Sequence, residues 1–277
     1  MKTLLRRSEF YVTLIIIALS FIIQAKSGQF FTANNLVDLV RSLIVPGMMA
    51  AGLLMVIASG NIDVSFPYNA MLCMFFVTKL FQTTHYTGPV VWGFVLAGAI
   101  GLLLGVINGV LAAWLRLPTL IITLGTCSIY LGFTQGVLKS RVISSLPAPL
   151  ADMAAANLFS VRSAATGLGS SMHVSIFLLI AVLLIVHFIL KYTLLGRGIY
   201  AVGGDMVAAE RAGFNVAFIR IFVFAFMGII GGIAGLTQVT LSGMCQINFF
   251  DGYEMTIIAA VVLGGASISG GNGTVFG

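Results

Sequence analysis

Pro89–Leu115 reads PVVWGFVLAGAIGLLLGVINGVLAAWL, without one charged residue from end to end. A run of this length and apolarity has the size of a membrane-crossing helix, since the hydrocarbon core takes about 20 residues at 1.5 Å each. Comparable runs fall at 10–24, 43–58, 68–83, 118–138, 172–191, 219–241 and 254–277, which predicts an all-α polytopic transmembrane bundle of about eight spans. Each must be helical, because a backbone in lipid has to satisfy its own hydrogen bonds. Several runs are short, so the second and third are expected to be broken or buried in the bundle.

Composition agrees. The 277 residues are 59% hydrophobic and 8% charged, against about a quarter charged in a soluble domain. That excludes a water-soluble enzyme, and it excludes disorder, which needs low hydrophobicity and high charge. The net charge of +6 comes from basic residues standing singly between apolar runs, so it points to orientation in a bilayer and not to nucleic acid. Cys73, Cys127 and Cys245 are widely spaced, without CxxC or His-containing ligand spacing, and read as small hydrophobes with no metal site.

The N-terminus has the basic start and apolar core of a signal peptide. An uncleaved first span is the preferred reading, because the segments after it also need insertion. With the N-terminus cytoplasmic, Lys2, Arg6, Arg7, Arg116, Lys191, Arg197, Arg211 and Arg220 fall inside. Lys26, Arg41, Lys79, Lys139, Arg141 and Arg162 fall outside. The inside charges sit in shorter loops and flank the first span, which sets that orientation. The longest external connection is 140–171, where Pro147 and Pro149 disfavour a continuous helix.

Small residues recur at helical spacing: Ala97, Gly101, Gly105 and Gly109 lie four apart, as do Gly228 with Gly232 and Gly231 with Gly235. Such faces let helices approach closely and are read as packing. Asn61 and Asp63, in ASGNIDVSFP (58–67), interrupt two apolar runs. A charge at membrane depth usually faces a cavity or the bundle interior; equally, Asp63 can be solvated in a short turn or cap the helix that follows. The cytoplasmic loop 193–218 holds DMVAAERAG (205–213), in which Asp205 can cap a helix that Gly213 ends. Such a helix is either a connector or a docking element.

GGASISGGNGTVFG (264–277) is no Walker A loop, because no GK[ST] follows, and it lacks GxGxxG spacing. It reads as a loosened or broken membrane helix. His85, His173 and His187 have no carboxylate at relay spacing and are taken as interfacial or packed. G-x-S-x-G, HExxH and paired intramembrane carboxylates are missing, so no hydrolytic chemistry is visible, and Asp251 and Glu254 sit beside an external loop.

Taken together, ASGNIDVS (58–65), INGVLAAWLRLPTLIITLGT (107–126), GRGIYAVGGDMVAAERAGFNV (196–216) and VVLGGASISGGNGTVFG (261–277) resemble the permease subunit of bacterial ABC importers for ribose, related monosaccharides and autoinducer-2. The similarity spreads over nearly the whole chain in the family's order. It implies a bacterial inner-membrane transport subunit without its own ATPase site. The implied partners are cytoplasmic ATP-binding subunits that hold ATP and Mg, a second permease copy or a related subunit, and an external solute-binding protein. The implied solute is sugar-like: ribose, another pentose or hexose, or autoinducer-2. The resemblance assigns ATPase coupling to 203–213, with Gly203, Gly204, Asp205, Ala208, Ala209, Glu210, Arg211 and Gly213, and a translocation-path role to Asn61, Asp63 and Ser65. Helix packing is left to Gly101, Gly105, Gly109, Gly228 and Gly232.

Two departures stand out. Phe66-Pro67 replaces the family's usual Val-Gly after the Ile-Asp pair, and the chain stops at Gly277 where such permeases continue through a further apolar hairpin, which reads as a truncated or partial protein. The alternative function is a stand-alone secondary carrier or channel, with Asp63 as an ion or proton site. A non-transporting scaffold would account for the glycine faces but not for the capped helix together with Asp63.

Overall fold

The computed structural model describes residues 8–115, 117–139, 141–162, 167 and 169–276, with the backbone alone over 8–11. Lys2, Arg6, Arg7 and Arg116, on which the inside charge largely rests, lie outside the described residues, as does Gly277.

The helices are α1 Ser8–Ser27, α2 Ala33–Ser42, α3 Ile44–Ala58, α4 Phe66–Thr83, α5 Val91–Trp114, α6 Thr119–Gly136, α7 Ala148–Ala154, α8 Ile176–Tyr192, α9 Leu194–Gly204, α10 Met206–Arg211, α11 Val216–Ser242 and α12 Tyr253–Leu263. This is the all-α membrane bundle read from the sequence, with one addition. Strands β1 Asn157–Arg162 and β2 Gly169–His173 pair antiparallel, β1 within the 140–171 connection and β2 running two residues past its end. The apolar run at 172–191 accordingly becomes helical only from Ile176. Pro147 N-caps the short α7 and Pro149 lies in its first turn, where a missing N–H costs nothing.

Among the described residues, α5 and α11 are each long and apolar enough to cross a membrane, with mean hydropathy 2.3. The pairs α2–α3, bent by 41°, and α8–α9, bent by 74°, pass the same test as interrupted spans. The other apolar runs, α1, α4, α6 and α12, fall below it individually. Burial explains how α3 and α4 can be short: Met48, Met49, Leu53, Met55 and Val56 are wholly enclosed, as are Ala70, Met71, Cys73 and Met74. Protein surrounds these helices, so lipid thickness does not set their length. The run at 254–277 stops being helical at Leu263, and the remainder turns through glycines with positive φ at 265, 270, 271 and 273.

The bundle is organised around α11. It runs antiparallel to α5 with backbone nearly touching backbone. A Cβ on Gly101 would strike the Gly228 carbonyl, one on Gly232 the Ala97 carbonyl, and one on Gly109 would lie 2.6 Å from the Ile221 Cα. Where only hydrogen fits, the axes approach as far as backbones allow, and dispersion replaces the hydrophobic drive that lipid does not supply. On its other side α11 meets α4, with Gly235 against the Ala70 carbonyl.

The two ends of the bundle are distinct. At the hairpin end, Arg41 Nη1 donates to the Ser171 carbonyl (3.2 Å) and hydroxyl (3.1 Å), its Nη2 donates to the Leu241 carbonyl (3.0 Å), and Ile143 pairs with Cys245. His173 is fully buried there. Its Nδ1 accepts from the Ser175 amide at 3.1 Å, which leaves Nε2 to donate to the Met153 carbonyl at 2.8 Å. Burial, with the Arg41 charge adding to it, pushes the imidazole below its ordinary value of 6.5. The unfolded chain therefore takes up the proton first on acidification. Stability is full above about pH 6.5 and is lost as pH falls below it. We expect the Tm of the permease in nanodiscs to drop between pH 7.5 and 5.5, and His173→Gln to flatten that dependence. A His173→Gln profile as steep as wild type would exclude this residue as the source.

Candidate functional site

Between α3 and α4 the chain is extended for a few residues inside the bundle. Gly60, at φ +75, ends α3, and its amide bonds back to the Ile57 carbonyl while the Asn61 amide reaches Val56. An extended segment inside protein needs outside partners for its amides. Helix α6 supplies them: Thr119 Oγ1 accepts from the Ile62 amide at 3.0 Å, and Thr123, one turn on, accepts from the Val64 amide at 3.3 Å. Alternate residues of the extended segment thus meet residues four apart on the helix.

Asn61, Asp63 and Ser65 are 2%, 3% and 1% exposed, so the solvated-turn reading of Asp63 does not hold. Asp63 Oδ1 accepts from both the amide and the hydroxyl of Ser65 at 2.7 Å, holding the entry to α4. Asn108 of α5 donates to the same hydroxyl at 2.7 Å, and Tyr130 of α6 lies against Asn108 Oδ1 (3.4 Å) and the Leu104 carbonyl (3.1 Å). Asn61 turns the other way, onto the Ser59 hydroxyl at 2.8 Å. Phe66 is buried and Pro67 sits in the first turn of α4, so the unusual pair builds the helix start. Asn108, Tyr130, Thr119 and Thr123 escaped the sequence reading. A lone Asn in the middle of the apolar α5 was the available signal for the first of them.

The second element is α10. Asp205 caps it, accepting from the amides of Val207 (2.9 Å) and Ala208 (3.0 Å), and Gly213, at φ +91, ends it. Asp205, Met206, Val207, Ala208, Glu210 and Arg211 are exposed while Ala209 is buried. The helix therefore rests on one small side chain and presents the rest outward.

What the sequence did not suggest is how closely these two elements meet. Gly203, three residues before α10 begins, packs against the Ala58 carbonyl at the end of α3. The Gly271 amide donates to that same carbonyl at 2.9 Å, and Tyr200 donates to the Gly273 carbonyl at 2.7 Å. A Cβ on Gly270 would lie 2.7 Å from the Gly60 Cα and 2.6 Å from the Gly203 carbonyl. The C-terminal glycine loop thus joins the end of α3, the polar break and the stem of α10 in one backbone-to-backbone junction.

A family model described as "Branched-chain amino acid transport system / permease component" matches residues 35–277. The chain belongs to this permease family. It is similar to the protein named "Autoinducer 2 import system permease protein LsrC" in Klebsiella pneumoniae, at 32% identity over 277 residues, all of this chain and 76% of the relative. The Salmonella typhi protein of that name is 31% identical over the same shares, and one from Yersinia pseudotuberculosis is 30% identical over 90% of this chain and 67% of its own length. No solved structure matches. This permease is thus an inner-membrane transport subunit of an ABC importer, working with ATPase subunits and a solute-binding protein, and ATP hydrolysis lies in the partners. A stand-alone carrier or channel is set aside on the same ground.

Proposed function

We propose that this permease passes a small sugar-like solute of the ribose or autoinducer-2 class, and that α10 is the part on which the ATPase subunits push. The observation that carries the reading is the glycine junction. It places the stem of α10 against the end of α3 and hence beside Asn61, Asp63 and Ser65, so a displacement of α10 has no slack to absorb it before it reaches the break. Gly203 and Gly204 form the stem, Asp205 and Gly213 bound the helix, Ala208, Glu210 and Arg211 face the ATPase, and Ala209 anchors it. Asn61, Asp63 and Ser65 act on the path by holding the start of α4, whose tilt opens or closes it. The relatives' names support the solute class.

In this reading the N-terminus and α10 face the cytoplasm and the hairpin faces out. A second permease subunit completes the path, and ATP and Mg are held by the partners alone. The test is to reconstitute the chain with its ATPase subunits and binding protein and follow uptake of labelled D-ribose and autoinducer-2. Uptake that needs ATP and both partners is the expected result. Uptake driven by an ion gradient without partners would refute it.

A further inference from the structure

At the hairpin end lies a cleft of about 320 Å³ between the end of α2, the end of α11 and the start of α12, remote from the polar break. We infer that it is a contact site for a neutral, polyhydroxylated small solute, reached before the solute enters the bundle. The inference rests on the sugar-like reading above and adds a place and residues to it.

The cleft is lined by Asp38, Arg41, Gln238, Ser242 and Tyr253 over an apolar floor that includes Val45. Two of its polar walls are fixed before any ligand arrives. Arg41 is held by three hydrogen bonds, to Ser171 and to the Leu241 carbonyl, and Asp38 Oδ2 accepts from the Ser170 hydroxyl at 2.7 Å. Groups tethered in this way lose little freedom on binding. Gln238 is half-buried, and its amide has no hydrogen-bond partner among the described residues. The Tyr253 ring is set edge-on against Phe250, with centroids 5.4 Å apart.

The chemistry of the lining selects the ligand class. One carboxylate and one guanidinium give the cleft no net charge, so an anion meets Asp38 and a cation meets Arg41. A neutral polyol suits both, since vicinal hydroxyls donate to the carboxylate and accept from the guanidinium, while the amide and phenol serve either need. The Tyr253 ring and Leu241, both part-exposed, offer apolar surface to the C–H face of a sugar. The volume lies at the small end of ligand pockets, which run from about 300 to 1,000 Å³, and that favours a single monosaccharide-sized guest.

The test uses the permease in nanodiscs with D-ribose and autoinducer-2 as probes, followed by saturation-transfer NMR. Wild type is expected to give ring-proton signals, and Gln238→Leu and Asp38→Asn to lose at least about fivefold of them at unchanged Tm, while Lys191→Gln at the other end keeps them. Because the Gln238 side-chain amide has no hydrogen-bond partner among the described residues, its replacement removes no hydrogen bond of theirs. Signals from neither probe, or signals unchanged in both variants, overturn the site; so does a variant that keeps the signals but binds the solute-binding protein less well, which would make the cleft a protein-docking surface. ATP-driven uptake by the assembled wild type, measured in parallel, separates failure of this site from failure of the importer's proposed solute class, since absence of any sugar uptake there removes both.

Discussion

Gly228→Val is expected to leave almost no folded permease. A side chain at Gly228 would have to occupy the place of the Gly101 carbonyl, and on its flank the Gly105 Cα lies 2.9 Å from where a Cβ would sit. These are backbone atoms, which no rotamer change removes, so α5 and α11 must separate along the face that also includes Ala97 with Gly232 and Gly109 with Ile221. Overpacking a well-filled core costs about 1–3 kcal/mol where side chains can yield; with backbone on both sides we expect well above about 3 kcal/mol, more than roughly a hundredfold in the ratio of folded to unfolded chain and enough to exhaust a marginal stability. The comparison is Gly125→Val on α6, where a Cβ would meet nothing within 4 Å. In the isolated chain Gly125→Val should elute as a monodisperse species like wild type, and Gly228→Val should not. Equal recovery of the two variants would mean that α5 and α11 do not pack in this way.

Ala209→Pro addresses function instead of stability. The Ala209 amide donates to the Asp205 carbonyl at 2.9 Å, and Ala209 is the buried foot of α10. Proline removes that bond and forces its ring onto the same carbonyl, costing about 3 kcal/mol in a six-residue helix that has little else to hold it. The cost falls on α10 and not on the packing of the long helices, so insertion and retention of the solute-binding protein should match wild type. ATP-dependent uptake and solute-stimulated ATPase should fall by about a hundredfold. Wild-type stimulation in this variant would remove α10 from the coupling role.

How much of this could be read from the chain alone differs by element. Apolar runs announce membrane helices because lipid imposes one rule everywhere, and the long α5 and α11 were legible within a few residues. The 169–173 strand was not, since a short polar stretch carries no period strong enough to mark it. Within the site, Asn61 and Asp63 stood out as polar residues among apolar ones, Asp205 and Gly213 as helix punctuation, and Ser65 only through the family resemblance. Their partners did not stand out: the pairing of Ser65 with Asn108 and of Ile62 with Thr119 is tertiary, and nothing local to either residue encodes it. The glycine loop after Leu263 was legible as irregular backbone, yet its target at Ala58 could not be, because a bond between main-chain atoms leaves no trace in side-chain identity.

That last bond bears on how the protein is made. The carbonyl of Ala58 receives its partner from Gly271, so as the ribosome feeds the chain into the membrane, α3 and the segment after it emerge long before the residue that seals them exists. Early in synthesis this end of α3 must borrow water or the insertion machinery to satisfy its exposed carbonyl. The final closure of the break is therefore a late event in biogenesis, timed by translation of the glycine loop and not by insertion of the helices it joins.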